Sequence, residues 1–259
     1  NVDSYLWYGG GLKKDFKKAS DIQKKTSINF AKLLDIVAKS FPKFRIRFTT
    51  SNPQDMDNEV LITMKAHNNI CNHIHLPVQS GSDKILKEMN RQHTREEYLN
   101  LVTEIKTILP DCGISQDMIT GFPNETEKDH LDTLSLMNLV KYDFGFMFKY
   151  SERPGTLASR KLDDNIPEEI KQRRLSEIID LQFKHSFENL SKYVNKKTVV
   201  LIEKESKKSK GFWAGRNEQN IMVVFPKEDF KTGEFVEVLI KENTATTLKG
   251  LGLNRIIWV

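Results

Sequence analysis

The residues of this 259-residue chain that could do chemistry collect in four short polar runs, each directly after an apolar run of strand length. The runs are Ser51-Asn52-Pro53, Gln79-Ser80-Gly81-Ser82, Gly121-Phe122-Pro123 and Arg153-Pro154-Gly155. Gln79 can donate and accept hydrogen bonds at once. Arg91 can hold a carboxylate through two parallel hydrogen bonds. Asp117 can accept both hydroxyls of a ribose. Brought together, the three suit a zwitterionic nucleoside. Taken singly, Arg91 reads as a solvated helix-end charge and Asp117 as a strand-end cap, and the residues alone leave both readings open. Arg153 likewise reads as a phosphate contact or as part of a tight Arg-Pro-Gly turn. His73, His75 and His93 raise the question of a metal. His73 and His75 share one strand face without an obvious third ligand, so structural roles are expected. Cys71 and Cys112 sit in no CxxC pattern and cannot by themselves ligate a cluster or a structural zinc.

The elements that must position these residues follow from periodicity. Phe30, Leu33, Leu34, Val37 and Phe41 recur at helical spacing, with Thr26 or Ser27 as cap. Residues 44–50 alternate with period two and read as a strand, as do 73–78, 114–120 and 144–150. Between them, Thr94 and Glu97 form a capping box ahead of a buried face of Leu101, Val102, Ile105 and Ile108. A later helix carries Leu131, Leu134, Met137 and Val140. A long helix over 167–194 turns Leu175, Ile178, Ile179, Phe183, Phe187 and Leu190 to the core. This alternation implies an α/β fold with a parallel sheet, in which function gathers where strands end. The four polar runs all fall there. Past Lys197 the texture changes to short β runs at 199–202, 221–225 and 235–240, which read as a small all-β barrel. The expected division is residues 1–194 and 195–259.

Of the net charge of +5, residues 195–259 carry +4. That bias fits a nucleic-acid-facing appendage or a lysine-rich soluble surface. Within it, Phe212, Trp213 and Arg216 lie among Lys204, Lys207, Lys208 and Lys210. Such a set can stack bases and follow phosphates, although Trp213 also reads as plain barrel packing. No apolar run approaches the ~20 residues of a membrane span. The cysteine usage suits a reducing cytoplasm. With no initiator Met and no signal-peptide pattern, the chain is expected to start inside a longer protein.

Several segments together resemble the radical S-adenosylmethionine (SAM) tRNA methylthiotransferase family. They are Asn1-Val-Asp-Ser-Tyr5, Arg45-Ile-Arg-Phe-Thr-Thr-Ser-Asn-Pro-Gln-Asp-Met56, His75-Leu-Pro-Val-Gln-Ser-Gly-Ser82 with Met89-Asn-Arg-Gln-His-Thr94, Asp117-Met-Ile-Thr-Gly-Phe-Pro-Asn-Glu-Thr-Glu127 and Tyr150-Ser-Glu-Arg-Pro-Gly-Thr156. Ala214-Gly-Arg-Asn-Glu-Gln-Asn220 resembles the core of the TRAM domain, an RNA-binding β-barrel. The likeness covers nearly the whole chain, in order, and is nearest the MiaB branch. It implies a partial (β/α)6 radical SAM barrel followed by a TRAM barrel. It implies methylthiolation at C2 of N6-isopentenyladenosine beside the anticodon, with SAM and two [4Fe–4S] clusters. Gln79 and Arg91 would lie near the amino acid end of SAM, Asp117 at its ribose, Ser51 and Asn52 at further contacts, and Ser80 would also bind SAM. Arg153, Lys208, Trp213 and Arg216 would meet RNA. The implied partners are the tRNA anticodon stem-loop and an electron donor such as flavodoxin or ferredoxin, with a monomeric protein and no membrane. The family's CxxxCxxC motif and the three cysteines of its N-terminal domain precede the segment matched by Asn1. The chain as given is therefore expected to lack catalytic and metal-ligating residues, to hold neither cluster and to be inactive. Two other readings stand beside this one: the sister branch that modifies a ribosomal-protein aspartate, and a non-catalytic RNA-binding module.

Overall fold

The computed structural model describes residues 2–49 and 51–257, so Asn1 and Thr50 of the stretches above lie outside the described residues. The first half holds β1 (Leu6–Trp7), α1 (Asp21–Lys25), β2 (Ile28–Asn29), α2 (Phe30–Ser40), α3 (Asn58–Ala66), β3 (His73–His75), α4 (Asp83–Glu88) and α5 (Arg95–Ile108). There follow β4 (Gly113–Thr120), α6 (Glu127–Val140), β5 (Phe144–Lys149), α7 (Leu157–Lys161) and α8 (Glu168–Ser191). The last five strands are β6 (Lys197–Glu205), β7 (Phe212–Arg216), β8 (Met222–Pro226), β9 (Phe235–Asn243) and β10 (Thr247–Ile256).

β3, β4 and β5 form a parallel sheet in that order. Alternation splits its side chains. Ile74, Ile114 and Met118 go to the helix-covered core. Tyr98 of α5 is fully buried among them and donates to the Leu76 carbonyl at 2.9 Å. The opposite face is polar and aromatic: His73 and His75, then Ser115 and Asp117, then Phe144 and Phe146.

Residues 44–49 are extended but form no strand. Only Ile46 bridges, to Ile70, because the chain facing them turns at 68–69 before β3 and offers few aligned partners. The cap of α2 is Asn29, which accepts from Lys32 N–H, since Thr26 already closes α1. In α6, Leu131 is exposed, and the buried face instead includes Asp129, His130 and Thr133. In α8, Ile178 and Leu190 are buried as expected, but Phe183 and Phe187 are about half exposed. The inward face carries Gln182, Ser186 and Asn189, which donate to the successive carbonyls of Tyr142, Asp143 and Lys141. Those carbonyls lead into β5 and have to be paired once buried, so α8 presents polar residues to them.

β6 to β10 close into a barrel of order β10-β8-β7-β6-β9. Its core is built at period two from Val200 and Ile202, Val223 and Phe225, and Val236, Val238 and Ile240. β7 and β10 lack an apolar run in sequence. Gly215 and Gly250 explain this, because a Cβ at either would strike the backbone carbonyl of Leu201 or Leu239. Two arginines mount the barrel on the sheet. Arg45 donates to the carbonyls of Arg216 at 2.6 Å and Val199 at 3.3 Å. Arg47 donates to those of Glu218 at 3.2 Å and Asn217. The mounting is at the end where the strands begin, with Gln219 against Gly113.

Candidate functional site

The opposite end of the sheet carries most of the expected site. Gln79 leaves β3 with φ of +72°, a left-handed conformation that costs a non-glycine residue about 1 kcal/mol. It is held there by backbone bonds at 2.9 Å to the Asp117 carbonyl and from Ile119 N–H. The residue is largely buried, and its side-chain amide is not among the buried polar atoms left without a partner. Arg91 follows α4. Arg91 is exposed; partial desolvation lowers its pKa and the charge of Asp117 opposes that shift, so the two share one local field. Nothing among the described residues accepts a hydrogen bond from the Arg91 guanidinium.

Ser51 donates its N–H to the His75 carbonyl at 3.1 Å, and its buried hydroxyl has no partner. Asn52 N–H donates to Asp3 Oδ2 at 2.6 Å, and Asn52 Nδ2 to Asp55 Oδ2 at 3.2 Å. Asp3, which the sequence reading passed over, is buried, and its Oδ1 is unpartnered. Burial raises its pKa, against the Asn52 hydrogen bond. Ser80 does not reach the rim: it is fully buried and turns its hydroxyl to Thr133 at 3.5 Å and to Ser82 N–H at 3.2 Å. His93 is buried behind Arg91, its pKa lowered by burial first and by Arg91 second.

Below the rim, His73 Nε2 and His75 Nδ1 each lie 2.9 Å from Ser115 Oγ, and His75 Nε2 lies 3.4 Å from Asp117 Oδ1. Burial pushes the His73 imidazole down to about 3. His73 stacks on Phe144 at 5.3 Å, and Phe146 meets His75 edge-on. Same-face alternation in the sequence was the signal for this cluster; the role of Ser115 was not foreseen.

The expected RNA residues are not brought together. Arg153 is exposed in the loop after β5, and Lys208 in the turn between β6 and β7. Trp213 is already engaged, donating Nε1–H to the Lys227 carbonyl at 2.8 Å with Lys227 Nζ 4.7 Å above its ring. Arg216 lies at the domain junction, its carbonyl held by Arg45 and its guanidinium 3.9 Å from Glu203.

The site thus lies on a parallel sheet with a polar rim, joined to a small closed barrel. Residues 15–137 match the Radical SAM superfamily and residues 191–251 the TRAM domain. The E. coli coproporphyrinogen III oxidase structure, described as a radical SAM enzyme, shares the fold at TM-score 0.51 and 16% identity, over 92% of this chain and 57% of that one. The chain is 65% identical to the tRNA-2-methylthio-N(6)-dimethylallyladenosine synthase of Christiangramia forsetii and 62% identical to that of Flavobacterium psychrophilum. Each match covers 96% of this chain and 52% of the relative, so the chain spans about half the length of the curated relatives it matches. The chain is thus similar to these methylthiotransferases over nearly its whole length, with a Radical SAM match in its first part and a TRAM match in its last.

The family implies an iron–sulfur cluster, and the described residues do not fit one. No group of three or more His, Cys, Asp or Glu among them could hold a metal ion. Both cysteines are buried, and burial pushes Cys71 up to about 11 and Cys112 to about 12, away from the thiolate that metals bind.

Proposed function

We propose that this chain is the SAM-binding and RNA-facing part of an enzyme that adds a methylthio group at C2 of N6-isopentenyladenosine beside the tRNA anticodon. The observation that carries the reading is the set of polar groups on one rim: the Gln79 amide, the Arg91 guanidinium, the Asp117 carboxylate with one oxygen beside His75, and the unpartnered Ser51 hydroxyl. These groups fit SAM. Arg91 would take the carboxylate of its amino acid end with Gln79 beside it, and Asp117 the ribose hydroxyls. Asn52 would act through its side-chain amide and Ser80 only through its backbone. When bound, SAM supplies the radical and methyl chemistry. The chain's own residues bind and orient it above the His75 and Phe146 face.

The barrel mounted at the other end of the sheet supports an RNA that approaches from there. Lys208 and Arg153 would meet phosphates, while Trp213 and Arg216 would shape the barrel. We place the domain division at 194/195. No helix among the described residues is long and apolar enough to cross a membrane. A cytoplasmic monomer fed by flavodoxin or ferredoxin completes the reading. The two [4Fe–4S] clusters would be held by residues other than these, so this polypeptide by itself would neither bind a cluster nor turn over. Mass spectrometry of tRNA nucleosides tests the reading. A strain lacking the gene should lose 2-methylthio-N6-isopentenyladenosine and accumulate the unthiolated nucleoside. An unchanged nucleoside with a ribosomal protein short of its modified aspartate would favour the sister branch.

A further inference from the structure

The hydrogen-bond chain under the rim has a direction that follows from its chemistry. His75 Nε2 faces Asp117 Oδ1 at 3.4 Å, an ion-pair distance rather than a formed hydrogen bond; a carboxylate only accepts, so the tautomer this approach favours carries a proton on Nε2. In the Nε2–H tautomer of His75 the bare Nδ1 accepts from Ser115 Oγ at 2.9 Å. Ser115 has one proton, and it is spent there. Its oxygen therefore accepts from His73 Nε2, also at 2.9 Å. His73 meets that demand as a neutral Nε2–H imidazole, because burial holds its pKa near 3. Ser115 is fully buried, which leaves no water to scramble the order.

We propose that His73, Ser115 and His75 are positioning residues: they lock His75 as the Nε2–H tautomer that steers one Asp117 oxygen and leaves the other free for a ribose hydroxyl. The role for Asp117 rests on the function proposed above; the tautomer lock does not. His75 and Asp117 are 3.4 Å apart, longer than the two bonds to Ser115, and catalytic contacts of this kind tighten when ligand arrives. Stacking on Phe144 and the edge of Phe146 hold the two rings in plane for the relay.

Nitrogen-15 NMR of histidine-labelled chain reads the tautomers directly. Both His73 and His75 should show the signals of the Nε2–H tautomer. Ser115→Ala should release His75 into a mixture of tautomers while the fold, followed by circular dichroism, persists. A His75 that is imidazolium or Nδ1–H, or one unmoved by Ser115→Ala, overturns the lock. Titration with SAM reads the role. Ser115→Ala should weaken binding about fivefold, the worth of one ordinary hydrogen bond, and His75→Leu likewise. His75→Gln, which keeps an N–H donor, should retain most of the affinity. Weakening by Asp117→Asn but not by Ser115→Ala would overturn the positioning role while leaving the SAM site standing. No weakening by either would sink the SAM site, with the tautomer lock still judged by its own signals.

Discussion

Replacing Arg45 and Arg47 by alanine should uncouple the barrel from the sheet. The two guanidiniums make four hydrogen bonds to barrel carbonyls, and Arg45 also stacks 5.0 Å over the Phe235 ring. A hydrogen bond from a charged donor is worth about 1.5–3 kcal/mol, and the ring contact about 0.5–1 kcal/mol. The junction is partly open to water, and neighbouring bonds are not additive. A discount of roughly half leaves about 3–6 kcal/mol for the double variant. At urea slopes of about 1–3 kcal/mol per molar, that is a shift of at least about 1 M. Hydrogen exchange with peptide resolution, followed through a urea titration, separates the two parts. In the unsubstituted chain, peptides from β4 and from β6–β9 should lose protection together. In Arg45→Ala/Arg47→Ala the barrel peptides should open first. Lysine at both positions should restore only part of the coupling, because an ammonium cannot span two carbonyls with a rigid fork. Coincident opening at an unmoved midpoint would refute the reasoning.

Arg174 donates to Glu125 at 2.9 Å, both side chains buried, and Glu125 in turn holds Gly121 N–H at 2.7 Å. Arg174→Met should destabilise the chain by about 3–5 kcal/mol in urea denaturation, since it strands a buried carboxylate; a loss below 1 kcal/mol would refute the pairing. Gly121 has φ of +70°, and a Cβ there would press on the Lys171 stem, so Gly121→Ala should cost about 1–3 kcal/mol by thermal melting. Burial pushes the Asp143 carboxyl up to about 6, against the Ile114 hydrogen bond and Lys106 and Lys192. The folded state then holds more protons than the unfolded one between about pH 4 and 6. Stability should therefore fall as pH rises through that window, by about 1–3 kcal/mol, and Asp143→Asn should flatten the slope. Equal slopes for the two proteins would rule this out.

The strand ends and turns were legible because turn chemistry is local. Gln79 and Asp117 sit where the apolar runs stop, and Thr94 and Glu97 form the capping box their spacing implies. What failed was tertiary. Residues 44–49 alternate like a strand, but their two arginines are committed to the barrel rather than to a ladder. The apolar stripe of α8 misled for a similar reason: three carbonyls before β5 required donors, so Gln182, Ser186 and Asn189 turned inward and Phe183 and Phe187 outward. By residue type Trp213 and Arg216 suit RNA contacts, with barrel packing the other reading of Trp213. Nothing local announces that Lys227 covers one and that Arg45 holds the carbonyl of the other. Ser115 was illegible because a lone serine on a strand acquires its role only from the two histidines that the adjacent strand places beside it.

The central claim is that the rim of Gln79, Arg91 and Asp117 serves tRNA methylthiolation. The most direct measurement returns the gene to a deletion strain with Asp117→Asn as its only change and quantifies the tRNA nucleosides by mass spectrometry at matched protein levels. N6-isopentenyladenosine should accumulate in place of its 2-methylthio form. Full methylthiolation by the Asp117→Asn protein would contradict it.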